Sequence, residues 1–148
     1  MKNLFLFLFT FNFYLVSAQI SFNTGNVQFD TDLNLINTQA RSNLSSFRAD
    51  MKVSYNVSEK KLDYMGVNLG MAPGEMYLAF EISRIARVSL DDVLTVYRKH
   101  KSKGWGVIAK QLGIKPGSAE FHQLKNRASS KKGKSPAKKN KKQVKFHT

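Results

Sequence analysis

Gly104-Trp105-Gly106-Val107-Ile108-Ala109-Lys110-Gln111-Leu112-Gly113-Ile114-Lys115-Pro116-Gly117-Ser118 is the stretch whose reading decides the fold. It holds the only tryptophan of the chain, four of its nine glycines and one of its three prolines. Trp105, Ile108, Ala109 and Leu112 recur at i, i+3, i+4 and i+7, which places them on one face of a short helix. Gly104 and Gly113 bracket that helix, each suited to the left-handed conformation in which helices end. Pro116 keeps Lys115 extended, Gly117 lengthens the turn, and Ser118 caps a following helix from Ala119 to about Asn126. The spacing predicts a helix-turn-helix-turn-helix corner with Trp105 buried against Leu94, Tyr97, Ile108, Leu112 and Phe121. The corner supplies no nucleophile, no base and no set of metal ligands.

Upstream of the corner, Leu90, Val93, Leu94 and Tyr97 share one face of a helix from Leu90 to His100. Ser89 caps it, and Asp91 and Asp92 complement its dipole. The helix before that starts at Pro73 and runs to about Ala86. It is apolar on most sides (Met76, Tyr77, Leu78, Ala79, Phe80, Ile82, Ile85), the mark of a central, buried helix. Ser58 opens a short helix in which Leu62 and Met65 face the core, and Gly66 to Met71 reads as a loop. From Asp32 the residues Leu33, Ile36, Ala40, Leu44, Phe47 and Met51 follow helical steps, with a break expected near Ser42. Gln19 to Thr31 alternates enough to suggest two short extended pieces about the turn Asn23-Thr24-Gly25-Asn26, with a loosely ordered mature N-terminus as the alternative. The fold class is therefore all-α, a small irregular bundle of four to six short helices.

The two ends have different chemistry. Lys2 and the apolar run Leu4 to Val16 precede Val16-Ser17-Ala18, the pattern of a secretory signal over residues 1–18 with cleavage before Gln19. The run is shorter than the roughly 20 residues a spanning helix needs. From 128 to 148 the chain is Lys, Ser, Gly, Pro and Asn with few apolar residues, and it is expected to be disordered because it buries too little surface to offset its ordering entropy. The expected organisation is thus a signal (1–18), an N-terminal segment (19–42), a helical domain (43–127) and a basic tail (128–148).

The run Lys103-Gly104-Trp105-Gly106 through Ser118, continuing as Glu120-Phe121-His122-Gln123-Leu124-Lys125, resembles the C-terminal signature of an uncharacterised family of small exported helical proteins of bacteria. The likeness covers roughly residues 43–125. The resemblance implies an exported helical fold, and with it a periplasmic or secreted location. It carries no activity, cofactor or catalytic residue.

The 148 residues carry a net charge of +14, unevenly placed. Of 24 basic residues, ten lie from Lys125 onward with no acid among them, and Lys2 adds one. The remaining 13 face all 10 acids, which leaves the body near +3. Absence of cysteine excludes disulfides, thiol catalysis and cysteine-bound metal. Gly133-Lys134-Ser135 lacks the earlier glycine of a phosphate loop, since position 128 is Ala128. His100, His122 and Glu120 match no metal-ligand spacing. Glu75 and Glu81 have no partner that the sequence names. No cofactor, metal site, small-molecule substrate or enzyme activity is expected.

The functional candidate is the tail. Lys131, Lys132, Lys134, Lys138, Lys139, Lys141, Lys142 and Lys145 form a polycation that attracts anionic polymers or a membrane surface by charge alone. The leading expectation is a non-enzymatic exported protein adhering to anionic envelope components. The rival is a nucleic-acid-binding protein that combines the tail with a helix-turn-helix-like corner from Trp105 to Leu124. A ligand pocket near Trp105 is a third possibility.

Overall fold

The structure is a computed structural model that describes residues 19–134. Local chemistry sets most helix starts. Asn26, Asn43, Ser58, Ser89 and Ser118 each accept a hydrogen bond from a backbone N–H three residues on, satisfying one of the donors a helix start leaves free. They open α1 (Val27–Ser42), α2 (Leu44–Tyr55), α3 (Glu59–Asp63), α5 (Leu90–His100) and α7 (Ala119–Lys132). α4 (Pro73–Ala86) starts with proline in its first turn, and Glu75 Oε2 accepts from the Ala72 N–H at 2.9 Å. α6 (Trp105–Gln111) has no side-chain cap. The described residues hold seven α-helices and no strand, so the chain is all-α, with more helices than the four to six expected.

α4 is the central element, with eight of its 14 residues buried. It packs against α1, α5 and α7, and α1 packs against both α4 and α7. A Cβ at Gly74 would come within 2.8 Å of the Phe22 ring and 2.9 Å of the Leu33 carbonyl. The missing side chain is what lets the start of α4 sit against α1 and the N-terminal segment.

The N-terminal segment departs from expectation. Only residues up to Asn26 are non-helical, and α1 begins at Val27 rather than Asp32. Asp30 falls in the first helical turn, where it accepts from the Thr24 N–H at 3.1 Å and the Thr24 hydroxyl at 2.6 Å. Phe29, Leu33, Ile36 and Ala40 then form one buried stripe along α1. Residues 19–42, extended and then helical, pack through this stripe onto α4 and α7.

Two further boundaries move. Gly66 to Met71 is not a plain loop, because Tyr64–Asn68 forms a π-helical turn that continues α3 and keeps Met65 buried. α7 runs to Lys132, past the expected end near Asn126. Ala128 is fully buried, and the Gln39 side chain donates to the Lys132 carbonyl at 2.8 Å. Lys131 and Lys132 pair with Asp50 and Asp32. Tertiary contacts thus hold helical a stretch whose composition alone reads as tail. Residues 1–18, where a secretory signal is expected, and residues 135–148, most of the expected basic tail, lie outside the described residues.

Candidate functional site

The corner is built as a scaffold. Trp105 is 3% exposed, its ring centroid lies 5.3 Å from that of Tyr97, and its indole Nε1 donates to Glu75 Oε1 at 3.2 Å. The Tyr97 hydroxyl reaches the same oxygen at 3.4 Å. Burial first, and then the Glu75 charge and hydrogen bond, push the Tyr97 phenol well above its ordinary pKa, which keeps it a donor. Ile108, Ala109 and Ile114 are buried, Leu112 is half-buried, and Gly113 and Gly117 are exposed at positive φ between α6 and α7. Pro116 is exposed in the same turn and Ser118 caps α7 at Phe121 N, 3.2 Å. The ring recorded against Phe121 is that of Phe29, edge-on at 5.9 Å.

The glycines at the start of α6 serve a contact that the sequence conceals. The Phe22 carbonyl accepts from Trp105 N–H at 2.8 Å and the Asn23 carbonyl from Gly106 N–H at 3.0 Å. The extended N-terminal segment thereby caps α6 in place of a side chain. A Cβ on Gly104 would lie 2.4 Å from Asn23 Cβ, and one on Gly106 2.9 Å from the Thr24 carbonyl. Gly104, at φ +89° and ψ 167°, ends no preceding α-helix in the manner expected; it gives room to the extended chain at Asn23, 81 residues earlier.

Of the tail lysines named from sequence, Lys131 and Lys132 belong to α7 and are engaged. Lys131 pairs with Asp50, whose carboxyl burial would raise but whose hydrogen bond and attraction to Lys131 hold below the usual range. Lys132 pairs with the buried Asp32 at 2.5 Å. Lys134 is exposed. Lys138, Lys139, Lys141, Lys142 and Lys145 lie outside the described residues.

A cleft of about 600 Å³ opens between α2, α4 and α7, away from Trp105. On its lining sits Glu81, a carboxylate only 2% exposed. Glu81 Oε1 accepts from the Tyr55 hydroxyl and from Arg84 Nη2 at 2.6 Å, while Arg127 Nε lies 3.2 Å from Oε2. Oε2 has no hydrogen-bond partner among the described residues. The Tyr55 ring is stacked on Phe80 at 4.7 Å, and the Arg84 guanidinium lies 5.2 Å over its centroid. Burial, then the Glu81 carboxylate, drive the Tyr55 and Tyr77 phenols far above their ordinary pKa. A second cleft of about 700 Å³ shares Ser54, Tyr55 and Arg84 and lies toward Val57 and Leu90. Neither cleft touches Trp105, near which a pocket is the third possibility left by the sequence.

This cluster was missed in the sequence, although a signal was present. Glu81 interrupts the apolar run Met76 to Ile85 of a helix read as buried on most sides. A carboxylate in such a position is almost always paired, and the arginines at 84 and 127 are the partners. Among the described residues no group of three His, Asp or Glu side chains is placed to hold a metal, and no helix is long and apolar enough to cross a membrane. Glu120 and His122 are exposed on α7, and His100 ends α5. Comparison with protein-family models, curated proteins and solved structures finds no match to the chain.

Proposed function

We propose that this protein is an exported, non-enzymatic helical protein of the bacterial envelope whose basic C-terminal segment adheres to anionic envelope components. The observation that carries the proposal is the segregation of charge. With Lys131 and Lys132 committed to Asp50 and Asp32, the chain beyond Gly133 still holds Lys134, Lys138, Lys139, Lys141, Lys142 and Lys145 and no acid. Six uncompensated cations on one short segment bind any dense array of phosphate or carboxylate by counterion release. Export is supported by the signal pattern of residues 1–18 and by the resemblance around Trp105. Ile20 N–H donates to Asn34 Oδ1 at 3.1 Å and Phe22 is buried, so a mature chain beginning at Gln19 would retain these contacts.

The nucleic-acid reading, with the corner from Trp105 to Leu124 as the reader, has weaker support. In α7, the helix that would enter a groove, Phe121, Leu124 and Ala128 are spent on packing against α1 and α4, and its first turn carries Glu120. Fractionation with N-terminal sequencing tests export directly. A mature chain starting at Gln19 outside the cytoplasm agrees with the proposal, and a cytoplasmic chain starting at Met1 overturns it. Adhesion is tested by sedimenting the mature protein with phosphatidylglycerol vesicles. Binding that survives replacement of the five lysines from 138 to 145 by glutamine would refute the tail's role.

A further inference from the structure

The cleft over Glu81 carries an excess of positive charge that its own residues do not neutralise. One carboxylate lies between two guanidiniums, which leaves one positive charge over. Lys131 is satisfied by Asp50, and the exposed Lys134 on the rim adds a second uncompensated charge. A guanidinium has five donors in a fixed fork. Of the two guanidiniums only Arg84 Nη2 donates to Glu81, while Arg127 Nε lies 3.2 Å from Oε2 without completing a hydrogen bond. Both side chains line the cleft and are 43% and 40% exposed, so their remaining donors are open to a ligand.

We propose that this cleft binds a small acidic sugar, a carboxylate or phosphate on a hydroxylated ring, clamped by Arg84 and Arg127, which Glu81 positions. A volume of about 600 Å³ lies in the range of small-ligand sites. A hydroxylated ring suits the cleft better than an aromatic one, because the Tyr55 ring is already stacked on Phe80 and carries the Arg84 guanidinium. Gln123, Asn126 and Ser130 on α7 instead supply amide and hydroxyl groups suited to sugar hydroxyls. Glu81, anchored by the Tyr55 hydroxyl, draws both guanidiniums to one buried carboxylate, and guanidinium forks suit recognition of an oxyanion. Among the described residues only Lys134 of the six tail cations lies at this site.

The test titrates the mature full-length chain with glucuronate and with glucose 6-phosphate, followed by amide chemical shifts. Glucose and inorganic phosphate serve as controls. Both acids should bind saturably with Kd below about 10 mM, shifting Arg84, Arg127 and Ser130. Glucose should not bind, and bare phosphate should bind more weakly than either acid. Arg84→Gln and Arg127→Gln should each weaken binding about ten-fold or more while the chain stays folded. Glu81→Gln separates positioning from charge. If Glu81 only subtracted charge, the substitution would tighten binding; as a positioning residue it weakens binding. Replacing the five lysines from 138 to 145 by glutamine should abolish vesicle adhesion and leave sugar-acid binding intact, so the two proposals fail separately. The assignment is overturned if neither acid binds saturably, if glucose or bare phosphate binds as well as the acids, if folded Arg84→Gln and Arg127→Gln retain full affinity, or if sugar-acid binding disappears with the tail lysines.

Discussion

Replacing Gly104 by alanine tests how far the fold depends on the docked N-terminal segment. Two costs compete. If the segment stays in place, the new Cβ must occupy a position 2.4 Å from Asn23 Cβ, on a backbone at φ +89° and ψ 167° that only glycine adopts readily. If the segment leaves, α6 loses the hydrogen bonds from Trp105 N–H to Phe22 O and from Gly106 N–H to Asn23 O, and the buried Phe22 is exposed. Two net hydrogen bonds at about 1 kcal/mol each and one phenylalanine at about 1.5–3 kcal/mol put release at about 3–5 kcal/mol. Sub-van-der-Waals overlap with a packed backbone costs at least as much, so release sets the ceiling. Urea unfolding should therefore show Gly104→Ala less stable by about 3–5 kcal/mol. Phe22→Ala attacks the same contact from the other side and should cost a similar amount. The double variant should then be little worse than either single one, because the segment can leave only once. Strict additivity of the two, or a Gly104→Ala variant within about 0.5 kcal/mol of the parent, would refute the docking role.

Trp105→Ala should cost about 3–5 kcal/mol by urea unfolding, since it empties a buried site and removes the indole donor from Glu75; a variant of unchanged stability would mean the corner is no scaffold. Tyr55, Tyr77 and Tyr97 have folded-state pKa values above the unfolded value of about 10, so they favour the folded state below that pH and the contribution is lost as pH rises through it. Tyrosinate absorbance of the mature chain should show these three titrating only as the protein unfolds; smooth titration near pH 10 by a folded chain would contradict their burial. For the tail, six phosphate contacts predict that affinity for duplex DNA, used as a polyanion probe, falls about 1000-fold between about 50 and 200 mM salt without sequence preference. A flat salt profile or strong preference for one sequence would point back to the corner.

Elements whose signals lie close together in the chain were legible. α4 and α5 were read to their observed limits because Pro73, Ser89 and the apolar faces sit within a turn or two of each other. The break between α1 and α2 was legible for the same reason, with Asn43 as its cap. What escaped depends on partners far along the chain. Gly104 looks like a helix stop until Phe22 and Asn23 are seen against it. Glu81 looks isolated until Tyr55, 26 residues earlier, and Arg127 are brought to it. The start of α1 was misplaced because Asn23 to Asn26 has the composition of a turn between strands. The same residues serve equally as a helix cap once Asp30 folds back on Thr24.

The end of α7 follows a different logic, in which buried charge rather than propensity fixes a boundary. Asp32 is 3% exposed on α1, and a carboxylate removed from water is costly unless paired. Gln28 donates to its Oδ1 at 2.9 Å, but only Lys132 brings a compensating charge, and it reaches that oxygen only if the helix continues to the end of its last turn. Asp50 on α2 makes the same demand of Lys131. Asn126 to Lys132 mixes good helix formers (Arg127, Ala128, Lys131, Lys132) with Asn126 and two serines, so composition alone sets no boundary, and the two carboxylates and the buried Ala128 hold this stretch in place. They also determine which lysines remain uncommitted. The first is Lys134, on the rim of the cleft over Glu81, and every later charge in the chain is positive. Two acids on α1 and α2 thus separate a helical body of modest charge from a segment whose only strong chemistry is its charge.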